Sequence, residues 1–144
     1  MTQFKRVEDM PVYQQFYKLA LRVERETRDY PGEFRWLRGQ SLRASESVCA
    51  NMSEGFFAQY STEYTHSLYR CRREGREMMT HVQYAKDVGV LDGETAKVLL
   101  ADYEDALRDL NKLIGSIQSK TKLRGKGKPS SKIQEEPGPY VVDE

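Results

Sequence analysis

Histidines and glutamates are the residues of this sequence that could hold a metal ion. A di-metal site in a helical bundle requires two Glu-x-x-His pairs and two further glutamates, all directed inward. The sequence has one such pair, Glu63 and His66, whereas His81 follows Glu77 by four residues instead of three. The two histidines are fifteen residues apart on one expected helix, a separation of about 22 Å at about 1.5 Å per residue. We therefore expect no metal site within one subunit.

The two cysteines, Cys49 and Cys71, are the candidates for nucleophilic chemistry. Neither has a histidine nearby in the sequence to act as a base, and there is no Gly-rich phosphate loop and no Gly-x-Ser-x-Gly elbow. Both fall inside helical patterns rather than in closely spaced pairs, which indicates buried thiols of a reducing compartment. We expect no enzymatic activity and no cofactor.

Arginines form the most conspicuous cluster of one residue type, with ten between positions 22 and 76. Arginine suits phosphate and carboxylate groups because its guanidinium presents a planar fork of donors. The candidate nucleic-acid-binding residues are seven of these arginines and one tyrosine: Arg35, Arg38, Arg43, Arg70, Arg72, Arg73, Arg76 and Tyr69.

Three interpretations of this candidate set stay open. The first is a solvated face with ion pairs, since Arg70/Glu74 and Arg73/Glu77 have the i,i+4 spacing of such pairs. The second is a subunit interface, where Arg and Tyr are enriched. The third is phosphate binding, with Tyr69 available to stack on an unpaired base. A ring of subunits would multiply any such basic surface.

Hydrophobic periodicity predicts the helix that holds most of these residues, over positions 61–88. Arg72, Arg73 and Arg76 fall opposite its apolar stripe, with Tyr69 among them. An apolar or small residue recurs every three or four positions, which keeps the stripe on one face. The stripe is Tyr64, Leu68, Cys71, Gly75, Met78, Val82 and Ala85.

Three further helices are predicted around it. The first begins near Pro11 and stops before Pro31, and the second covers about 34–54. The fourth follows the short connection 90–93, which forces it to run back antiparallel, and its stripe ends at Ile117. The fold class is therefore an all-α, antiparallel up-down-up-down four-helix bundle, with residues 1–119 as one domain.

The C-terminal residues 120–144 lack a helical stripe and are predicted to form a disordered tail. Positions 120–134 hold six basic residues and no acid, and 135–144 hold four acids and no base, so the tail is basic and then acidic. The bundle itself holds 17 basic and 18 acidic residues and is nearly neutral. No window is apolar enough for a membrane span, so a cytoplasmic location is the default expectation.

The end of the second predicted helix resembles a known family signature. The segments are Leu42-Arg43-Ala44-Ser45 and Ala50-Asn51-Met52-Ser53-Glu54-Gly55-Phe56. They resemble the signature of the four-helix-bundle proteins encoded in 23S rRNA intervening sequences. Residues 9–13 and 85–91 are similar to the opening of that family and to its third-helix ending, so the resemblance covers about residues 5–118.

The resemblance implies a four-helix bundle, commonly a ring-shaped homopentamer without established enzymatic activity. One branch of relatives, the accessory variability proteins of diversity-generating retroelements, binds a reverse transcriptase and structured RNA. Cys49 stands where the family usually has a proline, so a straighter second helix is expected here. For Asn51 and Glu54 we favour backbone hydrogen bonds at the helix end over ligand contacts, and Gly55 is well placed as a C-terminal cap.

The expected function is therefore that of a non-enzymatic, oligomeric bundle. It would bind structured RNA or a ribonucleoprotein through its arginines. The alternative is a protein-interaction adaptor that docks a partner protein such as a reverse transcriptase.

Overall fold

Four α-helices make up most of the chain in the computed structural model, which describes residues 4–127, with side chains described as far as Thr121. They are α1 (Pro11–Glu26), α2 (Arg35–Phe56), α3 (Ser61–Asp87) and α4 (Gly93–Gly127). Short 3-10 turns at Val7–Asp9 and Gly32–Phe34 precede α1 and α2. No strand is present within residues 4–127. The predicted all-α fold class is confirmed.

Successive helices pack side by side and antiparallel, and α4 returns to lie against α1. The direction of α2 and α3 follows from two contacts. The ring of Trp36, at the start of α2, lies 5.9 Å from that of Tyr84, near the end of α3. Gly55, near the end of α2, lies against Ser67 in the first half of α3. This arrangement is the predicted up-down-up-down bundle.

The predicted stripe of α3 faces the centre of the bundle. Leu68, Cys71 and Met78 are fully buried, and they share one core with Phe16 of α1 and Tyr103 of α4. Burying a large apolar side chain contributes about 1.5–3 kcal/mol. The burial of apolar side chains from all four helices in one core therefore accounts for the bundle.

Local signals set most helix ends. Pro11 occupies the first turn of α1, as predicted. The helix ends at Glu26, and the hydroxyl of Thr27 donates to the carbonyl of Val23 at 2.8 Å. At the start of α3 the Glu63 carboxylate accepts the backbone N–H of Gln59 at 3.1 Å, which satisfies a donor outside the helical ladder.

Gly55 does not cap α2, so that prediction is wrong. It lies inside the last turn of the helix, is buried, and has no positive φ. A Cβ at this position would lie only 2.4 Å from the Cβ of Ser67. The missing side chain therefore permits the close approach of α2 and α3. Helix α2 continues through Cys49 without interruption.

Helix α4 continues eight residues beyond the predicted domain end at Ser119, to Gly127. The start of the basic segment is thus part of a helix. Residues 128–144, which make up the rest of the predicted disordered tail, lie outside the described residues. Within the described part of the chain, no helix combines the length and the apolar character that crossing a membrane requires.

Candidate nucleic-acid interface

Arg43 joins α2 to α3. Its guanidinium donates to Glu74 at 3.2 Å and also contacts the carboxylate of Glu77. Glu77 lies 2.9 Å from the ring nitrogen of His81 one turn later. Partial burial raises the pKa of Glu77, but the hydrogen bond with His81 and the charge of Arg43 outweigh it and hold that pKa below its ordinary value. Arg43 thus forms a structural contact between α2 and α3.

Arg70 also reaches across to α2. Its Nε donates to the side-chain oxygen of Asn51 at 3.1 Å, and its Nη2 donates to Ser67 at 3.0 Å. Asn51 in turn donates to the backbone carbonyl of Ser47 at 2.9 Å. The favoured structural interpretation of Asn51 agrees with these contacts, whereas Glu54 is exposed.

Arg38 ties α2 to the end of α1. It donates to the hydroxyl of Thr27 at 3.1 Å and to the carboxylate of Glu24 at 3.0 Å. Glu24 also accepts hydrogen bonds from Nε and Nη2 of Arg28. The hydrogen bond from Arg28, together with the charges of both arginines, lowers the pKa of Glu24. Arg38 therefore lies at the α1–α2 boundary, away from the arginines of α3.

Tyr69 is not available to stack on a base, so that prediction is wrong. Its ring is 3 % exposed, and its hydroxyl is hydrogen-bonded by the amide of Gln118 on α4. The guanidinium carbon of Arg72 lies 4.8 Å from the Tyr69 ring centroid, and Nη1 of Arg72 donates to Asn111 at 2.6 Å. The reason is geometric: α4 covers the flank of α3 that carries both residues.

Four of the predicted arginines, Arg35, Arg43, Arg73 and Arg76, are exposed, and Arg43 is the one of them that bridges α2 and α3. Arg73 and Arg76 lie on the outer part of α3. Arg35 is eight residues before Arg43 along α2, which is about 12 Å of helix. The candidate set is therefore spread over three helix boundaries and does not form one continuous face.

Two exposed cations that the sequence reasoning missed lie on α4, the helix that packs beside α3. The Arg72–Asn111 contact places this part of α4 beside α3. Arg108 lies three residues before Asn111 and Lys112 directly follows it, and both are exposed. We call Arg73, Arg76, Arg108 and Lys112 the α3/α4 basic surface.

The signal that could have found the two α4 cations is their i,i+4 spacing on the polar side of the α4 stripe. Arg108 donates to Asp105 at 2.8 Å on the same helix. An exposed pair of this kind contributes little to stability.

The cysteine thiols are buried, as predicted: Cys49 is 6 % exposed and Cys71 is fully buried. Burial raises the pKa of Cys49 to about 12 and raises that of Cys71 as well. Both are therefore protonated thiols at neutral pH, the less nucleophilic form. Within the described part of the chain, no group of three or more His, Cys, Asp or Glu residues is arranged to hold a metal ion.

Comparison with protein families decides the classification. The family model of the 23S rRNA-intervening sequence protein matches residues 8–112, which include α1, α2, α3 and more than half of α4. The chain belongs to this family. This match confirms the family resemblance that was seen in the residues at the end of α2. A search of curated proteins found no match. The match ends at Lys112, so the last fifteen described residues of α4 lie beyond it.

Proposed function

We propose that this 23S rRNA-intervening sequence protein is a non-enzymatic, cytoplasmic bundle that binds structured RNA or a ribonucleoprotein through phosphate contacts, without reading base sequence. The observation that best supports the proposal is the α3/α4 basic surface, which sets four exposed cations on two adjacent helices. Contacts to phosphates dominate the affinity of such proteins for nucleic acids.

Side-chain contacts between α3 and α4 lie beside this surface and support it. Arg72 is held between the Tyr69 ring and Asn111, and Gln118 is bonded to the Tyr69 hydroxyl. These contacts fix α3 relative to α4, so Arg73 and Arg76 project from a frame that does not have to be ordered on binding. Preorganisation of this kind lowers the entropic cost of association.

A homo-oligomer is part of the proposal, and a pentamer is the form that the family resemblance suggests. In a ring, each copy would present its own α3/α4 basic surface. Several weak phosphate contacts would then act together, with an avidity above that of a single subunit.

The experiment is to measure the affinity for a fluorescent RNA hairpin at about 50 and 200 mM salt. We expect log Kd to rise steeply with log salt, because bound phosphates release counterions. The double variant Arg73→Glu/Arg76→Glu should weaken binding strongly and make the salt slope shallower by about 1–2. Arg72 is left unchanged because it supports α3 and α4.

The matched control is Lys18→Glu/Arg25→Glu, which reverses two exposed cations on α1 and gives the same change in net charge. It should retain most of the affinity. Equal losses in both double variants would show that only net charge matters, and binding that is insensitive to salt would exclude the phosphate mechanism.

The protein-interaction adaptor is the second candidate, and exposed apolar side chains favour it. Trp36 is 53 % and Tyr84 is 45 % exposed, and the two rings pair across α2 and α3. Under this proposal the aromatic pair would contact a partner protein such as a reverse transcriptase. Trp36→Ala/Tyr84→Ala should then abolish binding to the purified, RNase-treated enzyme while leaving hairpin binding unchanged.

A further inference from the structure

The connection between α2 and α3 carries two exposed aromatic rings within four residues. Phe57 is 74 % exposed, the largest exposed fraction among the large hydrophobic residues that stand out on the surface, and Tyr60 is 37 % exposed. A single exposed aromatic ring is common on protein surfaces. Here two exposed rings lie three residues apart at one connection.

The Phe57 ring contacts a neighbouring ring and is otherwise largely exposed to solvent. It lies perpendicular to the ring of Phe56 with 5.1 Å between the centroids, and Phe56 lies perpendicular to Tyr64 with 6.5 Å between the centroids. The hydroxyl of Tyr64 contacts the sulfur of Met10 at 3.5 Å, which joins this aromatic series to the core. The ring therefore has neighbours that restrict its movement, while most of its surface stays accessible.

Helix α4 brings positive charge to the same end of the bundle. Gln118 of α4 contacts Tyr69 of α3, and the two helices are antiparallel. From this contact α3 extends eight residues back to Ser61, and α4 extends nine residues on to Gly127. At about 1.5 Å per residue these lengths are about 12 and 13 Å. The end of α4 is therefore level with the α2–α3 connection, on a helix adjacent to α3.

The final turns of α4 hold four basic residues and no acid. They are Lys120, Lys122, Arg124 and Lys126. Lys120, whose side chain the structure describes, is exposed. We call Phe57, Tyr60 and this basic end of α4 the aromatic–basic end.

We infer that the aromatic–basic end binds unpaired RNA nucleotides, with a base stacked on Phe57 and the neighbouring phosphates close to the end of α4. The inference rests on the proposed RNA-binding function and adds a subsite that distinguishes single-stranded from fully paired RNA. Aromatic rings beside a cationic track are the features by which proteins bind single strands without sequence readout.

Two other roles for these residues explain less. Cations near a helix C-terminus favour its dipole, but that effect does not require exposed aromatic rings at the neighbouring connection. Protein–protein interfaces are enriched in aromatic residues but depleted of lysine, and three of the four cations here are lysines. An RNA strand uses both the rings and the lysines.

The experiment compares a labelled twelve-nucleotide RNA without self-complementarity with a blunt RNA duplex, using the full chain. Phe57→Ala and Phe57→Leu should both weaken single-strand binding by about five-fold to one hundred-fold, because each removes the flat ring on which a base stacks. Phe57→Trp should retain or improve binding. Duplex binding should be unchanged in all three variants.

The control variant is Trp36→Ala, which removes an exposed aromatic ring at the opposite end of the bundle and should leave single-strand binding intact. Lys122→Glu/Lys126→Glu should weaken single-strand binding and make its salt slope shallower. Circular dichroism and thermal unfolding of each variant confirm that the fold is retained. The leucine variant keeps apolar bulk, so it separates stacking from a merely hydrophobic contact.

The outcomes separate this inference from the proposed function. Salt-dependent hairpin and duplex binding with no effect of any Phe57 substitution would overturn the inference and leave the proposed function standing. Single-strand binding that is lost in Phe57→Leu but unaffected by Arg73→Glu/Arg76→Glu would support the inference. It would also exclude the α3/α4 basic surface as an RNA contact. Absence of binding to every RNA would overturn both.

Discussion

Replacing Gly55 by alanine should destabilise the bundle, although alanine is the better helix former. In an exposed helix interior the substitution stabilises by about 1 kcal/mol. At position 55, however, the new Cβ would lie 2.4 Å from Cβ and 2.5 Å from Oγ of Ser67. Neither Cβ can move without its backbone, so α2 and α3 must separate by about 1 Å or more. Overpacking of this kind costs about 1–3 kcal/mol.

Gly39 provides the matched control in the same helix. A Cβ at position 39 meets nothing within 4 Å, so Gly39→Ala should stabilise by about 0.5–1 kcal/mol. The two alanine variants are thus expected to shift stability in opposite directions. Urea unfolding measures both free energies, and a difference of 1 kcal/mol corresponds to about 2–8 °C in thermal midpoint for domains of this size range.

A double-mutant cycle tests the cause. Ser67→Gly removes the opposing Cβ, so Gly55→Ala should be much less costly in that background. An interaction energy of about 1 kcal/mol or more between the two sites would agree with direct steric contact. If Gly55→Ala stabilised the protein as much as Gly39→Ala does, the explanation of Gly55 by close helix approach would be refuted.

Three further predictions concern the α2–α3 boundary, the thiols and the α3–α4 contact. Because the pKa of Glu77 is lowered in the folded state, its contribution to stability is present above its unfolded pKa, about 4.5, and is lost as the pH falls through the folded value. In Glu77→Gln the free energy of unfolding should therefore fall less steeply as the pH is lowered through the acid range. An unchanged pH dependence would contradict the contribution assigned to Glu77. Cys49 and Cys71 should not react with a thiol reagent at pH 8 in the native protein and should react fully in urea, because both are buried with raised pKa values. Rapid native labelling would show that the helices open easily. Tyr69→Phe should cost about 0.5–1.5 kcal/mol in urea unfolding, because the amide of Gln118 loses its partner; a neutral result would indicate that water replaces the hydroxyl.

The apolar stripes were predictable from sequence because helix periodicity is a local property. Each stripe repeats every three or four residues, and the short connection before α4 leaves only an antiparallel return. Leu68, Cys71 and Met78 are therefore buried as predicted. The same reasoning extended correctly to the start of α1 at Pro11, where a residue without a backbone donor is favoured.

The arginine contacts were not predictable in the same way because their partners lie on other helices. The expected partner of Arg70 was Glu74 one turn away, but the structure pairs Arg70 with Asn51 and Glu74 with Arg43. A single helix also does not reveal how much of its flank a neighbour covers, which is why Tyr69 was misplaced.

The end of α4 was placed too early for a different reason. After Ile117 the apolar stripe stops, but lysine, leucine and arginine are good helix formers. They sustain the helix to Gly127 without a stripe.

The short first helix leaves a gap that the N-terminal segment fills. Gln15 of α1 contacts Asp109 of α4 in antiparallel register, so Pro11 is level with about residue 113. From there α4 runs on for fourteen residues, about 21 Å, without α1 beside it. Val7 and Met10, each 4 % exposed, are part of the core cluster at that end. Residues 7–10 thus cover this end of the hydrophobic core. A truncation that begins at Pro11 would retain all four helices but would expose that end of the core to water.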